Sequence, residues 1–220
     1  MHGSFSPNAA AARPPLTRQR ILRTAIERAD AVGVAQLTMR GLASALDYEV
    51  MSLYNHVSSK ADLLAGMVDN VAHEVQLADP EGPWGAELRR SCLSAHVCLE
   101  RHPWVSALWA STVPGPARIT LMESWLSTLH SSGLDELSAH RGFHAVTNHV
   151  VGYALQESNG IPTSAPDSMR RAQDFLEGLD RSVHPRVAEH VQQHLDGPQV
   201  GGTFEFVLDL ILQGLSTSPE

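Results

Sequence analysis

Residues 37–64 restrict the possible folds more than any other stretch, because they predict two short helices joined by a tight turn and followed by a third. Thr38 is a favourable N-cap residue, and apolar residues follow it at helical spacing. Asp47 occupies the turn, where positive φ is commonly needed and Gly is usual, and Asp tolerates that conformation better than most residues with a Cβ. Ser59 then caps the next helix, and Asp62 complements its N-terminal dipole. The stretch therefore predicts a helix-turn-helix.

The second short helix divides into an apolar face and a polar face. We expect the inner face to consist of Leu53, Tyr54 and Val57. The outer face presents hydroxyl, amide and imidazole groups and consists of Val50, Met51, Ser52, Asn55 and His56. This geometry suits a recognition helix in the DNA major groove, although a helix-turn-helix is also a common way to pack two helices without any DNA.

The same stretch resembles the DNA-binding domain of the tetracycline-repressor (TetR) family. The shared pattern is an arginine-bearing first helix, then T-x-R-x-L-A-x-x-L, then L-Y-x-H-V in the recognition helix, then S-K-x-x-L-L. Only the turn differs, since the family usually has Gly where this chain has Asp47. By position in the motif, the residues expected to contact phosphates are Thr38, Arg40, Ser52, Tyr54, His56 and Lys60. Those expected to meet base edges or thymine methyl groups are Val50, Met51 and Asn55.

The net charge of −8 at first argues against a nucleic-acid partner, but the acidity is unevenly placed. Residues 1–75 hold seven basic and seven acidic side chains, whereas residues 76–220 hold nine basic and seventeen acidic ones. The basic residues that precede any acidic residue are Arg13, Arg18, Arg20 and Arg23. They suit contacts with backbone phosphates, although a solvated helix face would have the same composition.

The first part of the chain divides into an arm and a DNA-binding domain. Residues 1–16 are expected to form a disordered basic arm, since Pro14 and Pro15 discourage helix. Residues 17–76 are expected to form the helix-turn-helix domain, whose first helix begins at Thr17. Residues 77–85 hold two prolines and two glycines between helical patterns, so they form the natural junction.

Residues 84–216 predict a larger helical domain, because nowhere does the sequence show the sustained alternation of a strand. The helices are expected near residues 86–101, 104–109, 117–129, 134–159, 167–179 and 184–195, and from 203 onward. Residues 160–166 are expected to be a loop. The fold class is therefore all-α, with an N-terminal helix-turn-helix DNA-binding domain and a larger helical ligand-binding and dimerisation domain.

The last helix and the long helix predict a dimer. The last helix is apolar around nearly its whole circumference, and a terminal helix of that kind is most easily buried by a second subunit. On the long helix, Ala145 and Gly152 are small enough for close helix approach. A four-helix bundle between two chains, which the family resemblance also implies, would use Arg141, Ala145, His149, Gly152, Gln156, Phe204, Leu208 and Leu212.

The aromatic residues predict a ligand cavity in the larger domain. All four tryptophans lie at the end of the domain junction or after it. The residues expected around a cavity are His96, Trp104, Leu108, Trp109, Trp125, Phe143, His144, Asn148 and Val151. Apolar walls with a few polar groups, here His96, His144 and Asn148, are typical of a drug-sized ligand site, although each aromatic residue could equally be ordinary core. We expect an uncharged or weakly charged, largely hydrophobic effector.

A metal site and a cofactor are not expected. Glu136, His140 and His144 share one helical face, and His190 and His194 form a further pair at i and i+4. With twelve histidines in the chain, however, such pairs arise readily by chance. The two cysteines lie six residues apart and form no metal-binding or disulfide pattern.

The remaining patterns narrow the class of protein. No apolar run is long enough to cross a membrane and no signal peptide is visible, so the cytoplasm is expected. No phosphate-binding loop, nucleophile elbow or apolar carboxylate pair suggests an enzyme. The prediction is a transcriptional regulator, a repressor that binds a palindromic operator as a homodimer and is released by a small hydrophobic effector. The alternative is an all-α small-molecule-binding or metal-binding protein whose helix-turn-helix is purely structural.

Overall fold

The computed structural model describes residues 14–158, 166–196 and 203–216. Within these ranges the chain forms eleven α-helices and no strand, which confirms the all-α prediction. The first four helices are α1 (Arg18–Val32), α2 (Met39–Leu46), α3 (Val50–Tyr54) and α4 (Lys60–Ala72), and a 3-10 helix, Val34–Gln36, separates α1 from α2. The remaining helices are α5 (Trp84–Arg101), α6 (Trp104–Leu108), α7 (Pro116–His130), α8 (Glu136–Ser158), α9 (Pro166–Gly178), α10 (Pro185–Leu195) and α11 (Thr203–Ser216).

Two of the expected segments fall largely outside these ranges. Most of the expected arm, residues 1–13, and most of the expected loop, residues 160–165, lie outside the described residues. In the described part of the chain, no helix combines the length and apolar character needed to cross a membrane.

Local capping sets the boundaries of the first helices. The Thr38 side chain accepts a hydrogen bond from the Gly41 amide at 3.0 Å, and the Ser59 side chain accepts one from the Asp62 amide at 3.0 Å. Asp47 adopts φ 60° and ψ 46°, the left-handed conformation that ends α2. The predicted caps and the predicted turn are therefore present.

The core of the N-terminal part is formed where α1, α2, α3 and α4 meet. Ile21, Leu42, Leu53 and Leu63 are fully buried there. Each buried side chain of this size contributes roughly 1.5–3 kcal/mol relative to an exposed one. Tyr54 differs from the expectation, because its side chain is 40% exposed. The helix rotates by about 100° per residue, so Tyr54 cannot share the inward direction of Leu53.

Helix α4 joins the two parts of the molecule, because it packs against α1 on one side and against α5, α6 and α7 on the other. The Asp69 carboxylate accepts hydrogen bonds from the backbone N–H groups of Ala117, at 3.2 Å, and Arg118, at 2.9 Å. Asp69 thereby caps the N-terminus of α7, where the helix dipole favours negative charge. Gly115 is needed beside it, since a Cβ there would overlap the carboxylate.

A second polar contact joins α1 to the larger part. One Asp30 carboxylate oxygen lies 2.9 Å from His102 Nδ1 and accepts a hydrogen bond from Trp104 Nε1 at 2.7 Å. Both ring side chains are buried at this position. Next to them, Arg101 and Glu74 form an ion pair at 3.0 Å.

Helices α5, α7 and α8 form the core of the larger part, and α11 packs against α8 and α5. Phe204, Leu208 and Leu212 of α11 are buried within this single chain. The expectation that these three side chains face a second subunit is therefore wrong, because α8 and α5 already cover them. Arg89 of α5 fixes the same helix by ion pairs at 2.7 Å with Glu205 and with Asp209.

Candidate DNA-binding surface and ligand cavity

The residues expected to contact DNA are all at least partly exposed. Met51 is 73% exposed, and Thr38, Arg40, Asn55 and Lys60 also lie on the surface. The half-buried members of the set are Val50, Ser52 and His56. Because α3 ends at Tyr54, Asn55 and His56 belong to the turn after it rather than to the helix. The recognition helix is thus short, and α2, α3 and the start of α4 supply the surface together.

The inner side of this surface is fixed by buried residues and by one polar cluster. Leu53 and Val57 are fully buried. Arg18 Nη2 lies 2.6 Å from one Asp62 carboxylate oxygen, and Arg18 Nη1 donates to the backbone carbonyl of His56 at 3.0 Å. The other Asp62 oxygen accepts from the Ser58 amide at 2.7 Å. The turn that follows α3 is therefore tied to both α1 and α4.

This cluster corrects one expectation about the basic arm. Arg18 was expected to contact phosphates, but its guanidinium is held by Asp62. Arg20 donates to the backbone carbonyl of Pro14 at 2.5 Å, and Arg23 pairs with Glu27 at 3.8 Å. Arg13 lies outside the described residues. The structure thus gives Arg18 a structural contact in place of the predicted DNA contact.

The Arg18–Asp62 pair should make the stability of this region depend on acid pH. Hydrogen bonds from Arg18, and then from Ser58, lower the pKa of Asp62 to about 2. A lowered folded-state pKa adds stability that is complete above about pH 4, the unfolded-state value, and is lost as the pH falls toward 2. Asp62→Asn should therefore lower the free energy of unfolding at pH 7. Between pH 4 and pH 2, the free energy of unfolding should fall less in this variant than in the wild type. Urea denaturation at several pH values measures both quantities, and identical pH dependence in the two proteins would contradict the assignment.

A cavity of about 270 Å³ lies between the segment after α6 and helices α7 and α8. Its walls are mostly apolar and aromatic, and its lining residues are Trp109, Ala110, Thr112, Pro114, Arg118, Leu121, Met122, Trp125, Phe143, His144 and Thr147. A separate small pocket of about 20 Å³ next to it shares Trp109, Leu121, Trp125 and Thr147 with its wall and reaches Val151. Five residues expected around a cavity are thus brought together, namely Trp109, Trp125, Phe143, His144 and Val151.

The other four expected residues do not line this cavity. His96 stacks on Phe204 with ring centroids 4.1 Å apart, on the α11 side of α5. Trp104 donates to Asp30 in the contact with α1. Leu108 packs against the hydrophobic core outside the lining, and Asn148 is exposed one turn after His144. The prediction that these four residues surround the cavity is wrong, because helical spacing does not indicate which neighbouring helix covers each face.

Three polar lining residues, Thr112, Arg118 and Thr147, are absent from the set expected from the sequence. Arg118 is only 2% exposed, and its guanidinium donates to the backbone carbonyls of Trp109, at 2.6 Å, and Thr112, at 2.7 Å. Burial lowers the pKa of Arg118. One sequence signal was available, since a cation in the first turn of a helix opposes the helix dipole and needs another reason to be there.

A wider, more open cleft of about 840 Å³ lies between the two parts of the chain, along α1, α4 and the start of α7. Its charged lining groups are already engaged, because Arg18 pairs with Asp62 and Asp69 caps α7. The smaller cavity combines aromatic walls with a few polar groups, which is the usual character of a small-molecule site. We therefore take the smaller cavity as the candidate ligand site.

Each histidine pair is close in space, and His190 Nε2 lies 3.2 Å from His194 Nε2, but among the described residues neither pair belongs to a group of three potential metal ligands. Within the described ranges, a different group brings three potential metal ligands together. It consists of His96, Glu100 and Glu157, whose ligand atoms all lie within 4.8 Å of one another. Burial lowers the pKa of His96, whereas burial and the nearby Glu100 raise the pKa of Glu157. His140 and His144 contact each other edge to face, with ring centroids 4.6 Å apart.

Comparisons with known proteins give a consistent result. Residues 78–218 match the family model described as "Tetracyclin repressor-like, C-terminal domain". A transcriptional regulator of the helix-turn-helix type from Saccharopolyspora erythraea is 34% identical over 87% of this chain and 76% of its own length. The transcriptional repressor DrrR1 of Streptomyces coeruleorubidus is 32% identical over 92% of this chain and 78% of its own length.

Solved structures agree with the sequence comparisons. ActR from Streptomyces coelicolor, a TetR family protein solved in complex with actinorhodin, is 30% identical with a TM-score of 0.77. The match covers 93% of this chain and the whole of that chain. The matched family model spans more than half of the sequence, and the two regulators are similar over most of their length. This chain belongs to the tetracycline-repressor family of transcriptional regulators.

Proposed function

We propose that the chain is a repressor that binds a palindromic operator as a homodimer and leaves it when a small, largely hydrophobic effector enters the cavity. The observation that supports this best is the exposed surface around α3, backed by Leu53 and Val57 and tied to α4 through Asp62. An all-α ligand-binding protein would not need an exposed recognition helix held so firmly. The names of the relatives, among them the repressor DrrR1, support the same proposal.

Lys60 should contribute a phosphate contact and no sequence preference. It is the first residue of α4 and is exposed, and its amine is the single lysine amine in the sequence. Lys60→Ala should weaken binding to all DNA sequences alike and flatten the salt dependence of log K by about 1 per protomer. Fluorescence anisotropy of labelled operator DNA over a range of salt concentrations measures this slope.

Asn55→Ala is the matched comparison for Lys60→Ala, because Asn55 is exposed on the same surface and is assigned to a base edge. It should cost about 1–3 kcal/mol at one position of each half-site and leave the salt slope unchanged. If Lys60→Ala changed sequence preference while the slope stayed the same, the assignment of these residues to phosphates and bases would be wrong.

Dimerisation would use the face of α8 and α11 that a single chain leaves open. On α11, Phe206 is 63% exposed and Leu210 is 50% exposed, and they lie one turn apart. On α8, a Cβ at Gly152 would meet nothing within 4 Å, and Arg141 and Gln156 are exposed on the same stripe. Such apolar and small residues on adjoining helices suit a four-helix bundle between two subunits.

The effector would act through α4. Arg118 lines the cavity, and its backbone N–H is held by Asp69 of α4. The other end of α4 carries Lys60 and Asp62 beside the recognition surface. A ligand that moves the start of α7 can therefore move α4, and this changes the separation of the two recognition helices in the dimer. Operator binding requires that separation to be about one turn of DNA, roughly 34–36 Å. With coupling of about 1–3 kcal/mol, operator affinity falls about 5–150-fold.

The structural alternative makes a different prediction. A protein whose helix-turn-helix only supports the fold would form no salt-sensitive, site-specific complex with the DNA upstream of its own gene. A gel-shift experiment with that DNA, repeated with excess unrelated DNA as competitor, separates the two functions. A complex that unrelated DNA displaces as readily as operator DNA would favour the alternative.

A further inference from the structure

The candidate cavity contains hydrogen-bonding atoms that the protein itself leaves unused. In the described part of the chain, the buried side-chain atoms without a hydrogen-bond partner are His96 Nδ1, Arg118 Nε and Thr147 Oγ1. Arg118 and Thr147 both line the cavity. Leaving a buried donor unpaired is unfavourable, and more so for a charged group. Both residues therefore bring an unused hydrogen-bonding group to the cavity wall.

The charge of Arg118 is also uncompensated. Its side chain is 98% buried, and the two protein groups that accept its hydrogen bonds are neutral backbone carbonyls, those of Trp109 and Thr112. The ion pairs between arginines and carboxylates in the described part of the chain do not include Arg118. Asp69, the acidic residue that influences it electrostatically, is engaged with the first N–H groups of α7. A buried cation without an anion is costly, so an anionic ligand group would bind here with a large advantage.

The remaining walls define the rest of the ligand. The guanidinium carbon of Arg118 lies 5.2 Å from the centre of the Trp109 ring, and Trp125 and Phe143 contact each other at 6.5 Å across the same cavity. A volume of about 270 Å³ admits a planar body of one or two fused rings rather than an extended chain. Aromatic walls interact favourably with such a body.

We propose that the effector is an aromatic carboxylate whose anionic group pairs with Arg118 and accepts a hydrogen bond from the Thr147 hydroxyl. The proposal rests on the proposed effector site and makes it more specific, since sequence analysis favoured an uncharged or weakly charged compound. Arg118 selects the charge and Thr147 orients the carboxylate. Trp109, Trp125 and Phe143 hold the ring.

A pair of compounds that differ in charge alone tests this proposal. Isothermal titration calorimetry of the full-length protein with 2-naphthoate should give an affinity at least about 10-fold higher than with its neutral isostere 2-naphthamide, because a hydrogen bond to a charged group is worth more than a neutral one. In Arg118→Met the two compounds should bind alike. Arg186→Met is the matched control, because Arg186 is an exposed arginine on α10, and it should retain the wild-type preference.

A second variant covers the case in which Arg118→Met does not fold. Thr147→Val preserves side-chain shape and removes only the hydroxyl, so it should weaken 2-naphthoate about 10-fold and 2-naphthamide less. Equal affinity of the two compounds for the wild type, or no binding of 2-naphthoate at millimolar concentration, would overturn the proposal. Operator binding without any compound is measured separately by anisotropy. If the protein without any compound did not bind the operator, the proposed function would be refuted. If it bound the operator but had equal affinity for 2-naphthoate and 2-naphthamide, only the proposal of an anionic effector would be refuted.

Discussion

A Gly152→Arg protein should be a folded monomer that no longer binds operator DNA. A Cβ at Gly152 meets nothing within 4 Å in a single chain, so a side chain there starts in open space and we expect arginine to leave the fold intact. In the proposed bundle, the same arginine adds a large volume and a charge between two closely packed helices. Because an operator of two half-sites needs two joined recognition helices, we expect operator affinity to fall to the non-specific level. Sedimentation velocity and fluorescence anisotropy measure the two effects.

Two further substitutions distinguish dimer loss from unfolding. Leu210→Glu should also give a folded monomer, whereas Leu208→Glu should unfold the chain, because Leu208 is fully buried within it. The matched control is Val97→Glu, since Val97 of α5 is as exposed as Leu210 but lies outside the proposed interface. It should remain dimeric and bind the operator normally. A Gly152→Arg or Leu210→Glu protein that stayed dimeric would remove α8 and α11 from the interface.

The features that sequence predicted well are those set by a few neighbouring residues. Thr38 and Ser59 cap their helices through bonds to amides three residues later, and Asp47 adopts its positive φ because the turn requires it. Such geometry depends little on the rest of the chain. The same locality explains why the helix-turn-helix could be predicted from the sequence.

The features that sequence did not predict depend on which surfaces meet. The circumference of α11 is apolar, but periodicity alone did not reveal that α8 and α5 cover Phe204 while Phe206 stays exposed. Trp104 has the composition of a cavity wall, yet its indole N–H is used by Asp30. The position of Arg118 in the first turn of α7 is visible in the sequence, but only the folded chain shows the two carbonyls and the cavity around it. Helix formation can therefore be predicted from local sequence, whereas the packing of one helix against another cannot.

Replacing Asp30 should destabilise the protein more than replacing any comparable exposed carboxylate. In the native structure Asp30 bonds to two buried groups, His102 Nδ1 and Trp104 Nε1. Asp30→Ala leaves both without a partner, and each unpaired buried group costs about 1–3 kcal/mol, so the free energy of unfolding should fall by roughly 2–5 kcal/mol. Urea denaturation followed by circular dichroism measures the change. Glu27→Ala is the matched control on α1, since Glu27 is 65% exposed, and it should change stability by less than about 0.5 kcal/mol.

A double-mutant cycle shows whether the cost comes from this contact between α1 and α6. Trp104→Phe removes the indole donor and leaves an aromatic ring, so Asp30→Ala should cost clearly less in that background than in the wild type. Additive costs would mean that Asp30 stabilises α1 in some other way. Asp30→Asn should cost less than Asp30→Ala, because its amide oxygen can still accept the Trp104 hydrogen bond. Since this contact joins the recognition domain to the segment that leads into the cavity wall, its loss should separate the unfolding transitions of the two parts.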